Sequence, residues 1–273
     1  MSLLNMEEVQ GKIPLFKGAA GKRVAGMLMK WLKVDKVNEL YDRHSASRGP
    51  DFASEILEDI GVEYKLYGGE NLEQLPQGAF VVISNHPYGS IDGVMMVDIF
   101  GHLRPDFKVM VNGILSRIEA MEDCFIKVTP IGDRRTPPTK DSIHGVRMAM
   151  EYVREGHPLG ICPSGAVSDL SLKEMCVRDR EWQEPVIRLI KKLRVPVVPM
   201  RFLDRNSDFY YFLGLIDWRI RLLRLPSEVF NKRGRRTRVK IGKVIPVSQQ
   251  DAIDDVAVFG DFLRNSVYEI TDE

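Results

Sequence analysis

The sequence predicts an α/β protein, a mixed or parallel sheet flanked by helices. Two observations predict it. From residue 51 to about residue 200, short apolar runs bounded by glycine and proline alternate with longer stretches of helical periodicity, the order that builds a layered sheet. The run 79–83 lies between Pro76/Gly78 and Pro87/Gly89 and is apolar throughout, as a strand covered on both faces must be. At 273 residues and 44% hydrophobic, the chain can bury a full core and fits one domain with a helical appendage.

Each element has its own cause. Residues 21–41 set Met27, Leu28, Trp31, Leu32 and Val34 at helical spacing among basic residues. That pattern builds either an interfacial amphipathic helix or a core helix with a solvated basic face. Residues 51–60 read as a helix with Asp51 as N-cap and Gly61 as terminator, followed by a strand at 62–66 and a turn at 67–70. After the buried strand 79–83, residues 91–100 have helical composition, 108–111 read as a strand, 113–121 as a helix and 126–129 as a short strand. An amphipathic helix at 139–155 is broken by Gly156-His157-Pro158 ahead of a strand at 159–162. The amphipathic stretch 186–193 leads into 195–200, whose prolines place it at a sheet edge or strand end. Charge divides the chain into an amphipathic segment 1–50, a main domain 51–250 and an acidic tail 251–273.

Composition excludes several functions. Net charge is +1, and the basic stretch 219–243 lacks the interleaved aromatics of a single-strand binder, so no nucleic-acid partner is expected. Cys124, Cys162 and Cys176 have no C-x-x-C spacing, which fits a reducing compartment. Cys162, in an apolar Ile-Cys-Pro context with no local base, reads as an inert thiol. His44, His102, His144 and His157 lack neighbours at ligand spacing, so neither a metal nor any other cofactor is expected. No stretch approaches the roughly 20 apolar residues of a spanning helix, and no signal peptide opens the chain, so the expected membrane contact is peripheral.

The chemistry concentrates after the buried strand, where residues 84–93 read Ser-Asn-His-Pro-Tyr-Gly-Ser-Ile-Asp-Gly. His86 falls at the strand's end and Asp92 at the start of the next helix, where α/β proteins place reactive groups. Imidazole can take a proton from a hydroxyl, and a carboxylate on its other nitrogen fixes the tautomer and stabilises the imidazolium. No protein nucleophile is needed if the hydroxyl belongs to the substrate. The plainer alternative makes His86 a strand-end residue and Asp92 a helix cap.

Asn85-His86 followed by an aspartate resembles the first block of the glycerolipid acyltransferases, the 1-acylglycerol-3-phosphate acyltransferase superfamily. That family usually has four residues between His and Asp; this chain has five, 87–91, as in bacterial relatives labelled hemolysins that resemble acyltransferases finishing amino-acid-headed lipids. Three further blocks keep the family order. Cys124-Phe125-Ile126-Lys127 matches the block with a phosphate-facing arginine, with Arg134 and Arg135 following. Pro163-Ser164-Gly165 matches the F-P-E-G turn, with Ser164 in place of the glutamate, and Val195-Pro196-Val197-Val198-Pro199-Met200 matches the last strand. Segments 179–182, 206–209 and 231–234 also resemble the hemolysin-labelled branch.

The resemblance implies a glycerolipid acyltransferase-like mixed sheet and an O-acyltransferase with His86 and Asp92 as catalytic residues. Asn85, Tyr88, Lys127, Arg134, Arg135, Pro163, Ser164 and Gly165 are the implied substrate-binding set. The donor would be a thioester of acyl carrier protein or coenzyme A, and the acceptor a lyso-lipid of the ornithine or glycine type. The enzyme would work peripherally at the cytoplasmic face of the inner membrane. Alternatives are a 1-acylglycerol-3-phosphate acyltransferase, a serine hydrolase using Ser164 or Ser84, and a non-catalytic membrane-binding module.

Overall fold

The computed structural model describes residue 30 and residues 33–112, 118–128 and 140–271. Helix α1 (Val34–Arg43) sets Leu40 and Tyr41 into the core, the Tyr41 ring edge-on to Phe52 at 5.8 Å. Helix α2 (Gly49–Asp59) carries Pro50 in its first turn and buries Phe52, Ala53, Ile56 and Leu57. Its N-cap is Arg48, with Asp51 one turn inside, and Gly61 at φ +68° ends it. Strand β1 (Glu63–Tyr67) and a 3₁₀ turn (Gly69–Gln74) precede β2 (Val81–Ser84), buried at every residue as expected.

Helix α3 (Ile91–Gly101) is buried nearly all round and leads to β3 (Lys108–Val111). Of the helix expected at 113–121, residues 113–117 lie outside the described residues, and Glu119–Cys124 is a 3₁₀ turn before β4 (Phe125–Lys127). Helix α4 (Lys140–Arg154) runs to β5 (Leu159–Ile161), followed by the antiparallel hairpin of β6 (Asp169–Ser171) and β7 (Cys176–Arg178). Helix α5 (Glu184–Leu193) enters β8 (Val197–Phe202). Three short helices, α6 (Asp208–Ile216), α7 (Trp218–Leu223) and α8 (Leu225–Phe230), connect to β9 (Arg236–Ile241), and α9 (Val247–Asp251) and α10 (Val256–Tyr268) close the chain.

Among the described residues the main sheet has seven strands in the order β1-β9-β8-β2-β5-β3-β4. The five from β8 to β4 are parallel; β9 runs antiparallel to β8, with β1 parallel to β9. Period-two alternation splits the core: Val82 and Val198 face α3 with Met95, Met96 and Phe100, while Val81, Ile83 and Val197 face α5 and α10 with Ile190, Phe259 and Leu263.

Two expectations are corrected. Pro196 stands just before β8, at a strand end as expected, but the strand is no edge: β8 pairs with β2 and β9, and Pro199, which has no N–H, sits opposite the break between Ile241 and Ile245, its carbonyl accepting from Gly242 N–H at 2.7 Å. The acidic C-terminal stretch is not a separate tail either. Asp255 caps α10, and Phe259, Leu263 and Val267 are fully buried against α5 and the sheet, while Asp261 of the same helix is exposed. Of the expected N-terminal amphipathic segment, residues 1–29, 31 and 32 lie outside the described residues.

Candidate active site

The carboxyl ends of β2, β5 and β8 deliver three loops to one end of the sheet. Register brings them together, since Ile83 pairs with Ile161 on one side and Pro199 on the other. Asn85 staples the first loop to β8, accepting Phe202 N–H at 2.8 Å and donating to the Phe202 carbonyl at 2.9 Å. His86 follows, and its own backbone is clamped: its N–H donates to Asp179 Oδ1 (3.0 Å) and its carbonyl accepts Ser168 N–H (2.9 Å). The Pro87 carbonyl accepts Tyr211 Oη–H and the Tyr88 carbonyl accepts Asn206 Nδ2–H, each at 3.2 Å. Gly89 sits at φ +93°, where an added Cβ would lie 2.8 Å from Val167 Cγ2, so the five-residue spacer is accommodated at the one position where only glycine fits.

Asp92 is wholly buried in the first turn of α3, where the helix dipole favours a carboxylate. It accepts the N–H groups of Tyr88 (3.1 Å) and Gly89 (2.6 Å), and its Oδ2 stands 2.7 Å from His86 Nδ1. That last contact is close but lies off the line of the ring N–H, a geometry that unliganded catalytic pairs commonly show. Burial opposes charge on His86, but negative charge on the neighbouring Cys162 sulfur and on the Asp92 carboxylate outweighs it and holds the imidazole well above its ordinary range. Cys162 therefore does have a local base. It lies beside His86 and lines the same cavity, its sulfur 3.4 Å from Ser84 Oγ.

The cavity, about 90 Å³, has His86, Cys162, Asn112 and Gln183 as its polar members and Val109, Val111, Val128, Val146 and Val186 as apolar wall. Its lining sets one imidazole, one thiol and two amides against an apolar wall.

The chain matches the Acyltransferase family over residues 18–273. It belongs to that family. It is 26% identical to a protein of Bacteroides thetaiotaomicron named lyso-glycine lipid O-acyltransferase, over 91% of this chain and 90% of that one. A protein of the same name from Phocaeicola vulgatus is 26% identical over 94% of this chain and 93% of its own length. Among solved structures, a 1-acyl-sn-glycerophosphate acyltransferase of Thermotoga maritima aligns over 90% of this chain and 96% of its own, at 12% identity and a TM-score of 0.45. The protein is thus an enzyme of the acyltransferase type.

The other expected site residues divide. Gly165 lines the cavity at φ +63°, but Ser164 is buried and donates to the Ala166 carbonyl at 2.7 Å, and Pro163 is a backbone anchor accepting Gln183 N–H at 3.0 Å. Asn85 is bonded to both backbone groups of Phe202, and Tyr88 is buried against the Phe202 ring at 5.8 Å, so both shape the loop. Lys127 is exposed at the end of β4; Arg134 and Arg135 lie outside the described residues. The hydrolase reading falls because Ser84 is fully buried between Met96 and Cys162, and Ser164 is spent on its own turn.

Sequence reasoning missed the cage around the loop. Asp179, buried, accepts from His86 N–H, Ser168 Oγ (2.6 Å) and Trp182 Nε1 (3.0 Å); burial raises its pKa against those three donors. On the other side Lys232, its ammonium pushed by burial down to about 8, donates to Asn206 Oδ1 at 2.5 Å beneath the Tyr88 ring. These residues belong to the segments 179–182, 206–209 and 231–234 singled out in the sequence analysis. Long-range pairing gives them their purpose.

Proposed function

We propose that this acyltransferase moves a fatty acyl group from a thioester of acyl carrier protein or coenzyme A to the hydroxyl of a lyso-lipid, of the glycine-headed type named in its two relatives. The observation that carries the reading is a half-buried His86, backed by the fully buried Asp92, in the wall of a largely apolar cavity. His86 Nδ1 faces Asp92, which leaves Nε2 for the acceptor. The imidazole takes the hydroxyl proton, the oxygen bonds the thioester carbonyl carbon, the C–S bond breaks, and the leaving thiolate takes the proton back from the imidazolium. Asp92 orients the ring and compensates its charge during transfer.

Gln183 spends one Nε2–H on the Ser164 carbonyl at 3.1 Å, and a side-chain amide has a second to offer the oxyanion. Lys127, with Arg134 and Arg135, takes an anionic part of donor or acceptor. The absence of a glutamate at Ser164 tilts the acceptor away from a glycerol-3-phosphate head. Both substrate and product carry acyl chains, so the enzyme works peripherally at the membrane's cytoplasmic face.

The test is acyl transfer by the purified protein to lyso-glycine lipid, lyso-ornithine lipid and lysophosphatidate, with acyl carrier protein and with coenzyme A thioesters. Turnover with a lyso-aminolipid and little with lysophosphatidate is expected. No turnover with any acceptor contradicts the reading.

A further inference from the structure

The helices α6 and α7 are inside out. On α6, Phe209, Phe212 and Ile216 share one face at helical spacing; on α7, Trp218, Ile220 and Leu223 are exposed as well, and all six are between 42% and 62% exposed. The inner face carries the polar groups. Tyr210 and Tyr211 are buried, and Arg221, 3% exposed, pairs with Asp169 Oδ1 at 2.5 Å and donates to the carbonyls of Ser168 (3.0 Å) and Val167 (3.1 Å). A helix pair facing water would put its arginine outside and its phenylalanines inside. Beside it, the tip of the β6–β7 hairpin holds out Leu172 and Met175, 63% and 79% exposed.

Contiguous apolar surface of this extent marks an interaction site. The sequence here is basic, residues 219–243 containing ten Lys or Arg and one acid, Glu228, although Arg221 and Lys232 are buried and Arg224, Arg236 and Arg238 pair with Glu228, Glu63 and Asp204. Arg205 and Arg224 stand over the rings of Tyr211 and Phe209 at 5.9 and 5.2 Å, stems along the aromatic surface, with Asp208 answering Arg205. The patch also adjoins the catalytic loop: Tyr211 bonds the Pro87 carbonyl, and Leu225 of α8 closes on Gly89. Apolar side chains on short helices with a cationic surround and an interfacial tryptophan are the chemistry of a surface that dips into an anionic bilayer.

We propose that the α6–α7 pair, with the β6–β7 tip, is the surface on which this protein sits on an anionic lipid membrane, so that the cavity at His86 opens toward the leaflet that supplies the lyso-lipid. The second half of that statement rests on the proposed function; the surface itself rests on the inversion and the charge.

The test is sedimentation of the full chain with vesicles of equal parts phosphatidylglycerol and phosphatidylcholine, beside a Phe212→Ser/Ile216→Ser variant. Both side chains are exposed and neither bonds the catalytic loop, so the thermal melt should be unchanged. The wild type should pellet, more weakly in high salt, and the variant's partition should fall about tenfold or more. Acyl transfer to lyso-lipid in detergent micelles should be equal for both, and transfer to lyso-lipid in vesicles should fall for the variant. Equal pelleting of the two proteins overturns the proposal, as does a wild-type dimer in gel filtration that the variant dissociates without change in pelleting. Absent micellar turnover in the wild type counts against the proposed function alone, because the pelleting result does not depend on it.

Discussion

The loop after β2 and the α6–α7 pair lie side by side and treat polar groups in opposite ways. In the loop, carboxylates, amides and an ammonium are taken from water, and nearly every main-chain group finds a fixed partner: Asp179 and Ser168 for His86, Tyr211 for Pro87, Asn206 for Tyr88, Asp92 for Tyr88 and Gly89. In the helix pair the apolar side chains are left outside and the arginine is buried. Burying partnered polar groups costs desolvation and returns geometry, because a buried donor has only one place to go. Exposing hydrocarbon returns nothing unless the surrounding medium is not water. One region holds the His86 loop still; the other is the surface proposed to meet lipid.

The largest effect should come from the carboxylate behind the base. Asp92→Asn keeps the shape but offers an amide to His86 Nδ1 and to two backbone donors, so the wrong tautomer is favoured; kcat should fall by about 10⁴, as it does for triad carboxylates, measured beside an unchanged circular dichroism spectrum. A loss below tenfold would make Asp92 only a helix cap.

Next is the cage. Asp179→Asn leaves one of three buried donors unmatched, and we expect about 2 kcal/mol of stability lost in urea unfolding. With Trp182 unpaired, the loosened cage around His86 should lower kcat by about 10² with little change in KM, since misplacement of the base affects chemistry more than binding. If stability falls and kcat does not, the cage supports the fold and not the base.

The smallest effect is a shift in pH. His86 titrates above the ordinary imidazole range, and only neutral imidazole is a base, so the acidic limb of kcat/KM should lie at higher pH than an unperturbed histidine gives. Cys162→Ala removes a neighbour that raises the imidazole and should move that limb to lower pH with turnover at the plateau retained. Loss of all turnover in that variant would instead make the thiol a covalent participant. By linkage, the same raised pKa stabilises the fold fully below the unfolded imidazole pKa, and that stabilisation is lost as pH rises through the folded value.

What was legible in the sequence was whatever local pattern determines. Strand 108–111 and helix 91–100 were readable because glycine and proline bound them and their composition is uniform. Chemistry was readable at His86 and Asp92, whose positions across a strand-to-helix loop are close in sequence. Misreadings came where distant chain decides. Prolines in β8 look like an edge until the break between Ile241 and Ile245 is seen opposite Pro199. An acidic C-terminal stretch looks solvated until Phe259 and Leu263 find α5. Cys162 seemed to lack a base because His86 lies far from it in sequence, yet β2–β5 register sets them together. Asp179, Asn206 and Lys232 show only as family-like segments, since their partners lie across the fold.

The central claim is that His86 is the base for transfer to an acceptor hydroxyl. The direct measurement is the rate of acyl transfer from acyl carrier protein to lyso-glycine lipid by His86→Ala, across the pH range of the wild type and with matched thermal melts. The account predicts no turnover above the uncatalysed background at any pH; near-normal turnover by the folded variant would contradict it.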